Sequence, residues 1–179
     1  TVDLELEVGR MVAAMLGYNP ERAWAHICSG GTLANLEALW VARAAQFIPF
    51  VVREYCAHHR LDFVIQCANG QEAPIGGVDD RALIALRPNE ALFMLRRLAH
   101  FIHHTTERPY DDVLPELNAH LRASSFNVAR RGLHAVLERI KLSPVIFVSA
   151  AAHYSIAKAA NVLGYGEDAI RSVPVTSRF

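Results

Sequence analysis

The chain has 179 residues, of which 52% are hydrophobic and 20% are charged, and its 18 basic side chains balance 18 acidic ones. This composition is typical of a soluble globular domain, and the length allows one substantial core and no more than two lobes. No basic tract indicates nucleic-acid binding, and charged or histidine residues interrupt each apolar run before the ~20 residues that a membrane span requires.

The N-terminal part predicts one α/β unit. Apolar residues recur at helical spacing from Leu4 to Leu16, and Gly17 ends the pattern. Residues 23–28 form a short apolar run that predicts a strand, and residues 32–47 are rich in Ala and Leu and predict a helix. Between them lies the turn Ser29-Gly30-Gly31-Thr32, which gives the order strand, turn and helix.

The central part, residues 48–142, predicts a mostly helical insertion. Helices are expected over 50–67, 88–104, 110–123 and 127–141, with a loop over 69–80 that is rich in glycine. Pro88 suits a first helical position, and Ser124 or Ser125 suits an N-cap. The α/β pattern then resumes with strands over 145–148 and 170–175 and a helix over 150–163. The predicted organisation is a partial α/β core, 1–47 and 143–179, interrupted by the insertion.

The glycine turn is the first feature with functional content. Two glycines allow a ligand close to the backbone, and the start of the following helix offers unpaired N–H groups and a positive dipole end. The Thr32 hydroxyl adds one donor for a phosphate. The turn lacks the lysine of a GxxxxGK[ST] loop and the spacing of GxGxxG, which argues against a nucleotide site. Taken alone, it equally fits a structural turn that Thr32 caps.

Several other residues have simpler structural interpretations. Cys28, Cys56 and Cys67 form no CxxC pair, which argues against a zinc site or a disulfide framework and favours a reducing cytoplasm. Cys28 is expected to be buried in a strand, and Trp24 and Trp40 are expected in the core. The remaining polar clusters are expected at the surface or at helix ends, namely His58, His59, His100, His103, His104, Asp79, Asp80, Asp111, Asp112, Arg130, Arg131 and Arg139.

Two blocks in this order carry a family resemblance. The first is the segment SGGTLANLEALW from Ser29, and the second is VSAAAHYS from Val148. Together they resemble the group II pyridoxal-phosphate-dependent amino-acid decarboxylases, and the helical segment between them resembles the bacterial tyrosine decarboxylase branch. The resemblance implies an α/β fold-type I large domain, with Gly31 and Thr32 at the coenzyme phosphate. It also implies that the catalytic His153 stacks on the pyridine ring.

The resemblance further implies a carboxy-lyase that converts an L-amino acid such as tyrosine, glutamate or aspartate to its amine and carbon dioxide. Such enzymes are expected to be cytoplasmic homodimers. In the family a lysine directly after a histidine forms the Schiff base, and this sequence has no His-Lys pair. Lys158 matches a non-catalytic family lysine, and Lys141 ends a predicted helix.

The chain is therefore expected to be a fragment, or one piece of a split enzyme, and to be inactive alone. Two alternatives stay open at this point. One is another fold-type I activity, such as an aminotransferase or a desulfurase, and the other is a non-catalytic oligomerisation or scaffold module.

Overall fold

Helices account for most of the regular structure between residues 2 and 176, the part of the chain that this computed structural model describes. The helices are α1 (Val2–Met15), α2 (Gly31–His59), α3 (Asp80–Ile84), α4 (Pro88–Thr106), α5 (Tyr110–Ala123), α6 (Val128–Arg131), α7 (Leu133–Ile140) and α8 (Ser155–Val162). The strands are β1 (Val64–Gln66), β2 (Glu72–Pro74), β3 (Ile146–Ser149) and β4 (Ile170–Val173). Strands β1 and β2 pair antiparallel, whereas β3 and β4 pair parallel. This mixture of helices and small sheets is compatible with the α/β class.

Three of the predicted helices are confirmed. Helix α1 ends just before Gly17, whose φ of 78° lies in the left-handed region that favours glycine. Helix α4 has Pro88 at its start, and α5 spans the predicted residues 110–123. The N-cap expected at Ser124 or Ser125 is wrong, because Asn127 caps α6 by accepting a hydrogen bond from the Arg130 N–H at 3.1 Å.

Helix α2 differs from the prediction because it continues without a break through Pro49 to His59. The boundary expected between residues 47 and 48 therefore falls inside a helix, although the division into core and insertion itself stays a prediction. A proline within a helix removes one backbone hydrogen bond, and here Pro49 and its neighbours Phe47, Phe50, Val51 and Val52 are all buried. Arg60 ends the helix in a left-handed conformation, and residues 64–66 form β1 instead of the expected helix.

Two further central segments carry more structure than expected. The loop predicted over 69–80 contains β2 and a 3-10 turn, Ile75–Gly77. The helix predicted over 127–141 is divided into α6 and α7 at Gly132, where φ is 79° and ψ is 154°. An α-helix requires a negative φ, so the two helices meet at a corner.

In the α/β part, the two strands after the insertion are confirmed and pair with each other, with Ile146 opposite Ile170. The strand predicted over 23–28 is wrong. No strand forms there, and the Ile27 N–H donates to a Glu5 carboxylate oxygen at 2.7 Å instead of to a neighbouring strand. Helix α8 begins at Ser155, five residues later than expected, because residues 150–154 form a turn. Arg43 Nη1 joins α2 to α8 by donating to the Leu163 carbonyl at 2.6 Å.

The large buried side chains are concentrated in the central part. One continuous cluster includes Phe50, Ile65, Met94, Leu98, Leu117 and Val136, and its buried members all lie between residues 47 and 140. Outside that range many apolar side chains are exposed. Trp24 is 78% exposed and Trp40 is 51% exposed, so their predicted core positions are wrong. No helix within residues 2–176 is long and apolar enough to cross a membrane.

Candidate functional site

The glycine turn leaves the start of α2 open. The N–H groups of Leu33 and Ala34 donate to the Gly30 carbonyl at 3.1 Å, and no side chain caps the helix. Among the described residues, none accepts a hydrogen bond from the backbone N–H groups of Gly31 or Thr32. A Cβ added at Gly30 or Gly31 would meet no atom within 4 Å. Two free donors at the positive end of a 29-residue helix suit an anionic group such as a phosphate.

His153 lies in the turn between β3 and α8, at the carboxyl end of β3. Its Nδ1 lies 2.9 Å from the Ser155 hydroxyl oxygen and accepts a hydrogen bond from the Ser155 N–H at 3.2 Å. Because a backbone N–H can only donate, Nδ1 is the acceptor and the neutral ring carries its proton on Nε2. The ring is exposed, and its centroid lies 4.2 Å from that of Tyr154.

Ser155 connects the two parts of the site. Its side chain is fully buried, and its hydroxyl oxygen accepts a hydrogen bond from Asn35 Nδ2 at 2.8 Å. Since that oxygen accepts from Asn35, its own hydrogen is directed to Nδ1 of His153. Asn35 lies about one helical turn after Gly31 on α2. The structure therefore places the N-terminal turn of α2 next to the side chain of His153, although Asn35 and Ser155, which connect them, are 120 residues apart in sequence.

The residues of the site fit a coenzyme with a phosphate group and a flat ring. The free N–H groups match the phosphate, the open space above Gly30 and Gly31 allows its close approach, and the exposed imidazole offers a planar face. That Gly31, Thr32 and His153 hold this coenzyme stays a prediction.

The two lysines of the chain have different surroundings. Lys158 Nζ lies 4.5 Å from the centroid of the Tyr154 ring, in a cation–π contact. Lys141 follows α7 and ends it in a left-handed conformation.

The outlying histidines and acids have structural surroundings. His58, His59, His100 and His104 are exposed on α2 and α4, as expected. Asp79 caps α3 by accepting from the Ala82 N–H at 2.9 Å, and Asp111 and Asp112 lie in the first turn of α5. Arg130 and Arg131 are exposed, as expected, and they donate to the Arg122 and Ala123 carbonyls at the end of α5.

Cys28 is neither in a strand nor buried. Its thiol is half-exposed and donates to Glu37 Oε2 at 3.1 Å, and this hydrogen bond raises the pKa of the thiol. His26 Nε2 lies 3.6 Å from the same oxygen, and its Nδ1 lies 2.8 Å from Glu5 Oε1. The hydrogen bond from the Ile27 N–H lowers the pKa of Glu5. This network of contacts connects residues 26–28, which precede the glycine turn, to α1 and α2.

Comparison with known proteins supports the family resemblance. The chain is 27% identical over all of its 179 residues to the L-tyrosine decarboxylases of Enterococcus faecalis and Levilactobacillus brevis. It is 27% identical over 175 residues to the L-tyrosine decarboxylase of Enterococcus faecium. The resemblance to the group II decarboxylases is confirmed. The chain spans about 22% of the length of these relatives, and no protein-family profile matches it.

For this decarboxylase-like chain, the sequence predicts roles for Gly31, Thr32 and His153 but none for the residues that connect them. Asn35 and Ser155 both lie inside the two quoted blocks, so their types were visible while their contact was not. The cluster of Glu5, His26 and Glu37 was missed entirely. Its members come from two helices and a connecting segment, and no spacing rule joins such residues.

Proposed function

We propose that the chain forms the phosphate- and ring-binding part of a pyridoxal-phosphate-dependent L-amino-acid decarboxylase of fold-type I. The observation that carries this proposal is the Asn35–Ser155–His153 chain of hydrogen bonds, which links the uncapped start of α2 to an exposed imidazole. Similarity to L-tyrosine decarboxylases over the whole chain supports the same assignment.

In this proposal each part of the site has a distinct task. Bound pyridoxal phosphate supplies a ring that accepts the electron pair left when carbon dioxide departs. The N–H groups of Gly31 and Thr32 donate to the phosphate, and the Thr32 hydroxyl adds a third donor. The His153 ring would hold the pyridine ring by stacking on it. Its Nδ1 is tied to Ser155, so Nε2 keeps a proton that it can donate to an anionic group of the substrate.

The substrate class is an L-amino acid, and tyrosine is the first to test because the relatives named above are tyrosine decarboxylases. Glutamate and aspartate remain the next candidates. The complete enzyme is proposed to be a cytoplasmic homodimer.

Coenzyme binding is the direct test. Titration of the chain with pyridoxal phosphate should shift the coenzyme absorbance and raise the melting temperature. Gly31→Asp should abolish both effects, because it places a carboxylate next to the phosphate position. Gly76→Asp is the matched control, since Gly76 lies in the 3-10 turn after β2 with no atom within 4 Å of an added Cβ.

Two outcomes would overturn this assignment. A wild-type chain whose spectrum and melting temperature do not respond to the coenzyme would favour the scaffold alternative. An equal response in Gly31→Asp would place the coenzyme elsewhere.

In the same solutions, carboxyl-labelled tyrosine should release no carbon dioxide, because the 179 residues contain no His-Lys pair. Release above a protein-free control would contradict that expectation.

A further inference from the structure

A second cluster with ligand chemistry lies beside the glycine turn. Cys28 Sγ is 3.1 Å from Glu37 Oε2, and His26 Nε2 is 3.6 Å from the same oxygen. One ligand atom from each of the three residues lies within 4.8 Å of the others. This is the only such group of three or more His, Cys, Asp or Glu residues found within residues 2–176.

These spacings suit a tetrahedral ion. Zinc bonds to sulfur at about 2.3 Å and to nitrogen or oxygen at about 2.0–2.1 Å, so tetrahedral ligand atoms lie roughly 3.3–3.5 Å apart. The two distances to Glu37 Oε2 fall on either side of that interval, and the ligand atoms of His26 and Cys28 lie within 4.8 Å of each other. A thiolate, an imidazole and a carboxylate form the mixed ligand set that borderline-soft divalent ions such as Zn²⁺ accept.

Glu5 supplies an independent indication, because it orients His26 as an outer-shell carboxylate orients a metal ligand. Glu5 Oε1 accepts hydrogen bonds from His26 Nδ1 at 2.8 Å and from the Ile27 N–H at 2.7 Å. This contact engages Nδ1 and leaves Nε2, which lies on the Glu37 side of the ring, as the ligand atom. The carboxylate–histidine–metal arrangement of zinc proteins has the same order of groups.

The charge around the cluster also favours a cation. Among the described residues, no lysine or arginine forms an ion pair with Glu5 or Glu37. The carboxylates of Glu5 and Glu37 therefore both lie beside the same imidazole, that of His26. The Cys28 thiol adds a third anionic group to the cluster when it loses its proton.

We propose that His26, Cys28 and Glu37 bind one Zn²⁺ or a similar divalent ion, with Glu5 as the outer-shell residue and a fourth position open to water. On binding, the Cys28 thiol releases its proton to solvent and the sulfur coordinates as a thiolate. The ion would join the segment before the glycine turn to α2. This proposal does not depend on coenzyme binding.

Metal titration of the full chain, without pyridoxal phosphate, tests the site. Zn²⁺ should bind with one-to-one stoichiometry in calorimetry, and Co²⁺ should give a near-ultraviolet band from thiolate-to-metal charge transfer. Cys28→Ser should remove that band and weaken binding. Glu5→Gln should weaken Zn²⁺ binding by about 10–100-fold, the range found for outer-shell partners. The band should persist in Glu5→Gln, because the sulfur ligand remains.

The matched control is the double variant His100→Gln with His104→Gln. These two exposed histidines lie four residues apart on α4 and represent adventitious chelation at a helix surface. The control should bind Zn²⁺ as the wild type does. No stoichiometric binding to the wild type, or binding that survives Cys28→Ser but is lost in the control, would overturn the proposal. If circular dichroism shows that Cys28→Ser is unfolded, calorimetry of Glu37→Gln decides instead: weaker Zn²⁺ binding supports the site, and unchanged binding contradicts it.

Discussion

A polar triad fastens the end of α2 to α5. The Tyr55 hydroxyl donates to Glu116, and Arg108 Nη2 donates to the other carboxylate oxygen of Glu116 at 2.6 Å. These hydrogen bonds, first from Tyr55 and then from Arg108, lower the pKa of Glu116 below its ordinary value of 4.5. Burial, followed by the hydrogen bond to Glu116, raises the pKa of Tyr55 to about 12. The ionised carboxylate is therefore the form that the folded state binds.

Glu116 should make the chain less stable in acid. Because its pKa is lower in the folded state than in the unfolded state, its contribution to the free energy of unfolding is present above pH 4.5. That contribution is lost as the pH falls through the folded-state pKa. Glu116→Gln should lower the free energy of unfolding at pH 7 by about 1 kcal/mol, since the partly exposed carboxylate is screened by solvent. It should also flatten the loss of stability below pH 4.5 in urea unfolding curves.

Glu138→Gln provides the control for this prediction. The Glu138 side chain is 69% exposed, and it lies 3.4 Å from His134 Nε2, one turn earlier on α7. Its substitution should leave the unfolding curve at pH 7 and the acid dependence unchanged. If Glu116→Gln lost as much stability at pH 3 as at pH 7, the carboxylate would not be the source of the acid sensitivity.

At the scale of elements, the corner between α6 and α7 depends on one backbone conformation. Gly132 has a φ of 79°, and a Cβ built there would meet no atom within 4 Å. The corner directs Leu133, Val136 and Ile140 of α7 into the central core. A continuous helix over 127–141 would direct that apolar face away from the core. Glycine is therefore needed at position 132 for its backbone conformation, since an added Cβ would meet no neighbouring atom there.

Gly132→Ala should therefore destabilise the chain through backbone strain alone. With φ 79° and ψ 154°, Gly132 lies in a region that essentially only glycine occupies, and a side chain there costs about 1–3 kcal/mol, which thermal or urea unfolding should show as a loss of that size. Gly76→Ala is the matched control, because Gly76 also has open space but lacks a positive φ. A loss of stability that is equal in both variants would refute the conformational explanation.

The whole molecule has an uneven distribution of buried apolar surface. The continuous core lies between residues 47 and 140, whereas the flanking parts bury mainly small side chains such as Ala13, Ala159 and Ala160. Large apolar side chains in those flanking parts are exposed, including Phe147 at 73% and Met15 at 84%. Burial of apolar area is the main favourable contribution to folding, so most of the stability should reside in the central part.

A protein consisting of residues 44–142 should consequently fold without the flanking segments. Circular dichroism should show a helical spectrum, and urea unfolding should be a single cooperative transition. The same fragment with Leu98→Asp should not fold, because it buries a carboxylate at a fully buried position. A non-cooperative transition in the unsubstituted fragment would show that the central part needs the α/β segments, and would contradict the division proposed from the sequence.

Local patterns in the sequence were sufficient for much of the secondary structure. The start of α4 at Pro88, the end of α1 before Gly17 and the strands β3 and β4 follow from proline geometry, glycine freedom and β-rich composition. These signals act over a few neighbouring residues, so they can be recognised from the sequence without knowledge of the fold. The family resemblance likewise rested on two short segments, and the comparisons bear it out.

Tertiary contacts decided what those local signals could not. Helix α2 is continuous across Pro49, where its side chains are buried, and the Ile27 N–H in the segment before the glycine turn donates to Glu5 and not to a strand. The candidate coenzyme site joins Asn35 to Ser155, 120 residues later, and the candidate metal site joins His26 to Glu37. Residue types and spacing determined which chemistry was present, whereas only the folded chain determined which side chains meet, because such contacts depend on packing between elements distant in sequence.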